Sequence, residues 1–523
     1  MATSFAGIKP KFDIPSWQAT PLIYSSLHVI QTAIAGATLE SDRRASQYRN
    51  PNMYFMNSAT TLFEYHATNN GWVQLTSPAL AGTFGAGACA VYAPSLGPRG
   101  TIAAGSSTTQ VVLSTALPAA VGANQMAGQQ LRIVDNASGA SGKTFEVIVL
   151  SNTAGTTPTV TFTAIANTPT TGSAYEFLSG RYYMLNAGVV AAGIWKYYDV
   201  LTSSYSGNLA TTNLPASIAT ASSIISLDEL HTPITGVAGV AVNGETGGYF
   251  GNLVCTASGT PATILFGTAA GGDSAVLANE YRNFQIRIIQ DTTTPTSVGQ
   301  RRRITSHTAG ATPQYTVPAW TVNPSTGATF VIENNNDIIL WTGATTTTYR
   351  YAPIADAWDT TTYAVKPAAM AAGCVTFHPF GIVLNTAKTL RHSYLYQFRG
   401  GVTGTLDVFD IAGATTGSWT SAVPYDNQGL VTFNASAGCA YSAVDNKTLL
   451  TPVSLLTAPV NFFYFDVDKG SLRPYSPCQQ VPGTIVDGDR VAIDFFVDGT
   501  AKKAIYYYIP STQSYALRSV FIL

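Results

Sequence analysis

Short strands with aromatic side chains fill almost the whole chain after Asn50, and this pattern constrains the fold more than any other feature. Segments such as RYYML, FQIRII, SYLYQF and AIYYYI combine aromatic with β-branched residues. Clusters of Gly, Pro, Asn, Asp and Thr separate them, as turns separate strands. Helical spacing of apolar residues is best developed at 25–48, around Leu27, Ile30 and Ile34. The sequence therefore predicts an all-β protein with a short, partly helical N-terminal segment.

Two stretches of the chain repeat each other at a constant offset. The segment LRIV at 131–134 aligns with IRII at 286–289. NTPTTGSAYEF at 167–177 aligns with VNPSTGATFVI at 322–332. Both matches have an offset of 155 residues, a register that chance rarely preserves over such a length. We therefore predict that a small module of short strands is duplicated in this chain.

The first copy contains a loop, NASGASGKTF, that is similar to a phosphate-binding sequence. A phosphate-binding loop needs a glycine where this chain has Ala137, and it needs a helix after the lysine. The residues after Lys143 have the composition of a strand instead, and the second copy lacks the Lys-Thr pair. We interpret the loop as a hairpin turn. The sequence predicts no bound nucleotide and no other cofactor.

A second repeat occupies the rest of the chain and is clearest at 394–419. A strand there ends in Gly400 and Gly401, the segment LDVFD follows, and Trp419 comes nine residues after Asp410. Partial copies of this order include tryptophans at three other places, Trp72, Trp195 and Trp358.

These stretches resemble the blades of kelch-type β-propellers. In that family the glycine pair ends one strand with positive φ, and the later aromatic residue packs between blades. The resemblance implies a propeller of roughly six blades. It makes six residues candidates for the cores of blades, namely Trp72, Trp195, Trp358, Trp419, Gly400 and Gly401.

Small sheets with one aromatic face must stack on neighbours, and radial stacking leaves only short edges. Six units fit such a ring, near residues 54, 183, 339, 395, 463 and 506. The two long gaps between units hold the duplicated modules. The predicted domains are an N-terminal arm with one helix at 1–49, a propeller built from 50–100, 179–251 and 334–523, and inserted modules at 101–178 and 252–333.

The low charge of the chain limits what it can bind. Only 11% of residues are charged and the net charge is −1, whereas an ordinary soluble domain has about 25% charged residues. Low charge favours association with partner subunits. It gives no global field that attracts nucleic acid or an anionic membrane. Because no run of 18 apolar residues occurs, we also predict no membrane span.

One basic cluster, GQRRRITSH, interrupts this neutral sequence. Successive residues of a strand face opposite sides, so at most two of Arg301, Arg302 and Arg303 share a face. We predict that these arginines form a subunit contact or a solvated strand edge. Contact with nucleic acid is the weaker alternative, since no aromatic residues are interleaved with the arginines.

The sequence lacks recognisable patterns for catalysis or metal binding. The six histidines do not pair at metal-ligand spacings, and the five cysteines form no close pair. Asp466, Asp468 and Gly470 begin like a calcium loop, but Pro477 stands where a bidentate glutamate is required. We interpret these aspartates as turn residues. The sequence predicts no catalytic, cofactor-binding or metal-binding residues.

The Thr/Gly/Ala-rich cadence of the modules is similar to segments of virion proteins from tailed bacteriophages. Nozzle and neck proteins of short-tailed phages carry propellers in this way. The resemblance implies a non-enzymatic structural protein of the tail or head–tail neck, sheath-like or nozzle-like. It would form a homo-oligomeric ring that contacts portal, adaptor or tail components, without sequence-specific binding of nucleic acid. Its location would be the virion, after synthesis in the host cytoplasm.

Two other functions stay open. A receptor- or carbohydrate-binding virion protein would carry exposed aromatic side chains on the modules. A propeller glycan hydrolase would need two or three carboxyl groups about 5–10 Å apart in one pocket.

Overall fold

The computed structural model of the chain describes most of its central part and shorter segments towards both ends. The described residues are 17–19, 38–41, 52–66, 71–82, 87–93, 95–219, 221–228, 250–258, 263–266, 277–310, 313–333, 335–343, 345–371, 374–377, 393–401, 404–426, 438–442, 447–451, 463–466, 470–474, 490–494, 502–508 and 516–522.

Strands account for nearly all regular structure in these residues. The strands before the first module and within it are β1 (Trp17–Ala19), β2 (Thr38–Ser41), β3 (Asn52–Ser58), β4 (Thr61–His66), β5 (Gly71–Gln74), β6 (Cys89–Ala93), β7 (Arg99–Thr101), β8 (Gln110–Val112), β9 (Gln130–Asp135), β10 (Lys143–Asn152), β11 (Thr159–Phe162) and β12 (Ala174–Phe177). Those up to the end of the second module are β13 (Arg181–Leu185), β14 (Gly188–Val189), β15 (Trp195–Asp199), β16 (Ser204–Tyr205), β17 (Ser217–Ile218), β18 (Ser223–Ser226), β19 (Phe250–Ser258), β20 (Thr263–Phe266), β21 (Gln285–Gln290), β22 (Arg301–Arg303), β23 (Ser306–His307), β24 (Gln314–Thr316) and β25 (Thr329–Glu333).

The remaining strands are β26 (Ile338–Trp341), β27 (Tyr349–Ala352), β28 (Ala357–Asp359), β29 (Val375–Phe377), β30 (Tyr394–Phe398), β31 (Leu406–Asp410), β32 (Ser418–Thr420), β33 (Gly438–Ser442), β34 (Lys447–Thr451), β35 (Phe463–Asp466), β36 (Ser471–Pro474), β37 (Arg490–Asp494), β38 (Lys502–Tyr508) and β39 (Ala516–Ile522). A single 3-10 turn, Pro295–Ser297, is the only helix in the described part of the chain. The all-β prediction is confirmed.

Six antiparallel sheets of four strands each contain most of the strands outside the modules. We number them by their first strands as sheet I (β2-β3-β4-β5), sheet II (β6-β13-β15-β16), sheet III (β18-β26-β27-β28), sheet IV (β29-β30-β31-β32), sheet V (β33-β34-β35-β36) and sheet VI (β37-β38-β39-β1). The six units predicted from the sequence lie in six different sheets of this set.

The strand named first in each of these sheets contacts the strand named first in the next sheet, and these contacts form a closed cycle. Strand β2 contacts β6, β6 contacts β18, and β18 contacts β29. From there β29 contacts β33, β33 contacts β37, and β37 contacts β2 again. The N-terminal strand β1 pairs with the C-terminal strand β39 and so completes sheet VI.

The N-terminal segment differs from its prediction where it is described. The helix predicted at 25–48 lies mostly outside the described residues, but Thr38–Ser41 within it is strand β2, paired with β3. Residues 17–19 also belong to a sheet rather than to a free arm. At 38–41, pairing with the next strand, β3, prevails over the local helical preference.

Neighbouring sheets bury opposite faces of the same strands. Tyr182 of sheet II packs towards Tyr54 of sheet I, whereas the adjacent Tyr183 packs towards Tyr351 of sheet III. The layer between sheets III and IV is built in the same way, and Phe377 of sheet IV contacts Phe465 of sheet V. Because successive side chains of a strand alternate, sheets II, III and IV are apolar on both sides.

Strands β7–β12 and β19–β25 together form one thirteen-stranded sheet. The two copies pair their strands in equivalent register: Gln130 lies opposite Ile148, and Gln285 lies opposite Arg303. Lys143 lies opposite Gln290 and joins the two halves. Strands β9 and β10 are antiparallel neighbours, which confirms the hairpin turn that the sequence predicted at the glycine-rich loop.

Candidate functional site

The residues predicted as blade cores lie in the layers between sheets. Trp195 and Trp358 are both buried between sheets II and III, with ring centroids 5.4 Å apart. Trp419 is partly buried on sheet IV, 4.8 Å from Phe409 and 5.7 Å from Trp341. The side chain of Trp72 lies outside the described residues.

The glycine pair adopts the backbone that the propeller resemblance implies. Gly400 has a φ of 78° and Gly401 a φ of 65°. A Cβ at Gly401 would lie 2.7 Å from the Cβ of Ala371, so a side chain does not fit there. Left-handed φ values are costly for other residues, which explains glycine at the end of strand β30.

Each arginine of the basic cluster has partners within the chain. Arg301 bonds to Glu176 and Glu333. Arg302 lies over the ring of Trp320 and donates to the carbonyl oxygen of Ala319 at 2.8 Å.

Arg303 is directed towards residues that lie beside sheet III. It donates to the side chain of Asn283 and lies 4.8 Å from the centroid of Tyr363. It also pairs with Asp337 at 3.9 Å. Arg301 and Arg303 thus share a face of β22, as the alternation of strand side chains requires. The predicted contact between subunits is not needed to explain these three side chains.

Arg301 belongs to a larger cluster of charged side chains where the two modules meet, which we call the module junction. Its members come from both copies and are Arg99, Arg132, Arg287, Arg301, Glu146, Glu176 and Glu333.

Glu176 is the centre of the module junction. Its two oxygens accept from both terminal nitrogens of Arg301, at 2.8 and 2.7 Å, although Arg301 belongs to the other module. Arg132 donates to the same carboxylate at 3.1 Å, and Arg99 lies 3.9 Å away. A bidentate bond between arginine and a carboxylate fixes the orientation of both groups. Glu176 therefore connects the two modules in one defined geometry.

The second centre of the junction is deeply buried. Arg287 is fully inaccessible to solvent and donates to both oxygens of Glu333, at 3.2 and 3.1 Å. Arg132 is paired in the same way with Glu146, at 2.7 Å. Charged side chains are stable in such surroundings only when they are paired and hydrogen-bonded.

The electrostatics of the junction follow from its excess of arginines. Burial opposes ionisation of Glu176, but Arg301, Arg99 and Arg132 outweigh it and hold the pKa of Glu176 well below its usual value. Burial lowers the pKa of Arg99, and the attraction of Glu176 offsets this only in part. The carboxylate of Glu176 is thus ionised throughout the neutral pH range.

The module junction was not predicted from the sequence, although the repeat contains one indication of it, an arginine at equivalent positions of both copies. Arg132 and Arg287 occupy equivalent positions of the two copies. A charged residue retained at the centre of two buried strands indicates a paired charge. The partners could not be deduced, because position 146 is Glu in one copy while its equivalent, Arg301, has the opposite charge.

The first module has an apolar edge that the rest of the described chain leaves uncovered. Ile148 and Leu150 of strand β10 are 51% and 59% exposed. Ile148 lines a groove of about 400 Å³ that also includes Ala164, Ile165 and Ala166. We call this set the apolar edge. The equivalent of Ile148 in the second module is Arg303, which faces Tyr363 and Asp337 instead.

Within the described residues, no three His, Cys, Asp or Glu side chains are grouped as a metal site would need. Asp466 is buried and lies opposite Ser471 on paired strands, while Asp468 lies outside the described part. In that part, no helix is long and apolar enough to cross a membrane.

Comparisons with known proteins give little guidance. The chain matches no family model and no curated protein. Solved structures that match include an auxiliary nutrient binding protein from Bacteroides thetaiotaomicron, with 8% sequence identity and a TM-score of 0.23. The match covers 83% of this chain and 97% of the other. A TM-score this low supports no argument about fold or function.

Proposed function

We propose that sheets I to VI are the six blades of a β-propeller. Three observations support this arrangement. The strand named first in each sheet contacts the one named first in the next sheet, in a closed cycle; sheets II, III and IV bury both faces against neighbours; and β1 completes the C-terminal sheet. Closure through strands from both ends of a chain removes the edges that a linear stack of sheets would expose.

In this arrangement the modules are insertions in two blades. The module at 101–178 lies between the first and second strands of sheet II, and the module at 252–333 lies between the first and second strands of sheet III. The propeller then consists of 50–100, 179–251 and 334–523, as the sequence predicted, with 38–41 added to its first blade and 17–19 to its last. Insertions in a repeat fold extend from one face, and that face is often the binding face.

We propose that the protein is a non-enzymatic structural component of a tailed-phage virion, located in the tail or head–tail neck. The observation that carries this proposal is the module junction. A bidentate, largely buried ion pair between Arg301 and Glu176 holds the two modules in one geometry, while Arg303 connects the second module to Asp337 and Tyr363 beside sheet III. Buried ion pairs contribute little net stability but can specify a unique arrangement. A rigid block of this kind suits a permanent assembly.

The apolar edge supports association with further subunits. Apolar surface that is left exposed on a rigid projection marks an interaction site. The low charge of the chain is typical of the cores of permanent interfaces. The proposed partners are copies of the same chain, arranged in a ring, and other virion components such as a portal, an adaptor or tail proteins.

Sugar binding is the second candidate, and the described modules do not favour it. A sugar platform needs exposed aromatic rings. All aromatic side chains of the modules whose burial is described are buried, including Tyr175, Tyr281, Tyr315 and Trp320. A structural role accounts for these residues as module cores.

The proposal is tested by measuring the mass of the native particle. Mass photometry of the purified full chain should give a species several times heavier than 55 kDa. An aspartate at the centre of the apolar edge, Ile148→Asp, should dissociate it, because an interface cannot bury an unpaired carboxylate cheaply. Val189→Asp is the matched control, since Val189 is 74% exposed but lies on strand β14, outside the apolar edge.

A wild-type chain that stays at 55 kDa at all concentrations, alone or with co-expressed virion proteins, would refute the structural role. Equal dissociation of Ile148→Asp and Val189→Asp would show that the apolar edge is not the interface.

A further inference from the structure

A buried cluster of polar side chains lies at one end of the layer between sheets III and IV. Most of that layer is apolar and contains Trp341 and Phe409. At its polar end, Thr376, Gln397 and Asp407 occupy paired positions on the three adjacent strands β29, β30 and β31. All three are buried. Because they are directly opposite one another across the strands, their side chains share the face that meets sheet III.

The charges of this cluster do not balance. Asp407 accepts two bonds from Arg399, at 2.6 and 2.8 Å, and a third from the backbone nitrogen of Ala422 at 3.0 Å. Arg399 and Asp407 therefore neutralise each other. Lys366 is only 3% exposed and lies within electrostatic range of Asp407, Arg399 and Cys374. It adds a positive charge that no carboxylate in this cluster is free to match.

The ammonium group of Lys366 also lacks a hydrogen-bond acceptor. Its Nζ is fully buried, and no described atom accepts a hydrogen bond from it. A buried ammonium without a partner is strongly unfavourable. Consistent with this, burial lowers the pKa of Lys366 to about 8.

A second unsatisfied group is found on the same face. Gln397 donates through Nε2 to the hydroxyl of Thr376 at 3.0 Å, and its Oε1 is buried without a partner in the described structure. This end of the layer therefore contains two buried polar groups without a hydrogen-bond partner in the described structure, Nζ of Lys366 and Oε1 of Gln397.

We propose that this cluster binds one small monovalent anion, of the size of chloride or formate, against Nζ of Lys366. The anion would balance the net positive charge and accept hydrogen bonds from the ammonium. At the solvent side of the cluster, Arg399 is 22% exposed and bonds to Ser421 at 2.6 Å. The proposal does not depend on the structural role of the chain.

The test is the urea stability of the full chain in different sodium salts at constant ionic strength. Chloride or formate should stabilise the folded state relative to gluconate, by a free energy that rises with the logarithm of one plus the ratio of the anion concentration to its dissociation constant. When the anion concentration is ten times its dissociation constant, the equilibrium constant for unfolding should be about tenfold smaller than in gluconate. Lys366→Met should abolish the difference between salts, whereas the control Lys143→Met, in the first module, should retain it.

A direct measurement accompanies the stability test, so that a poorly folded variant does not decide the outcome. Bromide soaked into crystals of the wild-type chain should give an anomalous scattering peak beside Nζ of Lys366. Equal stability in chloride, formate and gluconate together with no bromide peak would overturn the proposal and would leave water as the occupant. Salt dependence that is the same in the Lys366→Met and Lys143→Met variants would also overturn it.

Discussion

Removing the charge of Glu176 tests whether the module junction fixes the modules in place. The substitution Glu176→Gln preserves the shape of the side chain but leaves Arg132 and Arg301 without their shared carboxylate. Breaking a buried ion pair costs about 3–5 kcal/mol. Arg132 keeps Glu146 at 2.7 Å and Arg301 keeps Glu333 at 3.4 Å. We therefore expect a loss near the lower limit, about 3 kcal/mol.

Amide hydrogen exchange measures this loss where it occurs. Glu176 lies on strand β12 of the first module and Arg301 on strand β22 of the second, so peptides from these two strands report on opening of the junction. A loss of about 3 kcal/mol should accelerate their exchange by about a hundredfold. Peptides from sheet IV, which is remote from the junction, should exchange at the wild-type rate.

A matched carboxylate-to-amide change provides the control. Asp359→Asn alters a partly exposed pair, because Asp359 contacts Arg350 at 2.9 Å and both side chains are partly accessible. Exposed pairs contribute at most about 1 kcal/mol. If Glu176→Gln accelerates exchange no more than Asp359→Asn does, the junction does not hold the modules together.

Three further predictions concern pH and backbone geometry. Lys366→Met should stabilise the protein by about 3 kcal/mol at pH 7 in gluconate, because the buried ammonium has a pKa of about 8 instead of 10.5. The wild type should recover this difference in stability between pH 8 and pH 10.5, where Lys366 holds its proton only in the unfolded state. A Lys366→Met variant that is less stable than the wild type at pH 7 would contradict the reasoning. Burial lowers the pKa of His307 to about 4, so stability should fall by about 3 kcal/mol between pH 6.5 and pH 4 as the unfolded state gains a proton, and NMR should find a neutral ring at pH 5. Gly180→Ala should cost at least about 3 kcal/mol, because its φ is +93° and a Cβ would lie 1.8 Å from the hydroxyl oxygen of Tyr92. Gly139→Ala, at a φ of +78° with open space around it, should cost only about 1 kcal/mol, and equal losses would show that the contact with Tyr92 is not restrictive.

Features set by local periodicity were predictable from the sequence. Segments rich in aromatic and β-branched residues predicted strands, and β13 illustrates why: Tyr182 and Tyr183 are both buried, on opposite faces, so the residues YYML after Arg181 form a continuous buried run. The duplicated register was also visible, because Arg132 and Arg287 are equivalent positions and pair in equivalent register with Glu146 and Arg301.

Features set by tertiary contacts, rather than by local sequence, could not be predicted. Strand β2 lies in a segment with helical spacing, and its pairing with β3 decides its conformation. The partner of Arg301 is Glu176, 125 residues away in the other module, and no local pattern indicates this contact. Lys366 is similar: a lysine between Val365 and Pro367 is indistinguishable from a solvated turn residue until the neighbouring sheet is known.

Electron cryo-microscopy of the purified full chain tests the structural role most directly. We expect particles in which several copies form a closed ring, with a six-bladed disc in each copy and the apolar edge of the first module covered by a neighbour. Isolated single discs at every concentration, with Ile148 and Leu150 facing solvent, would contradict the account.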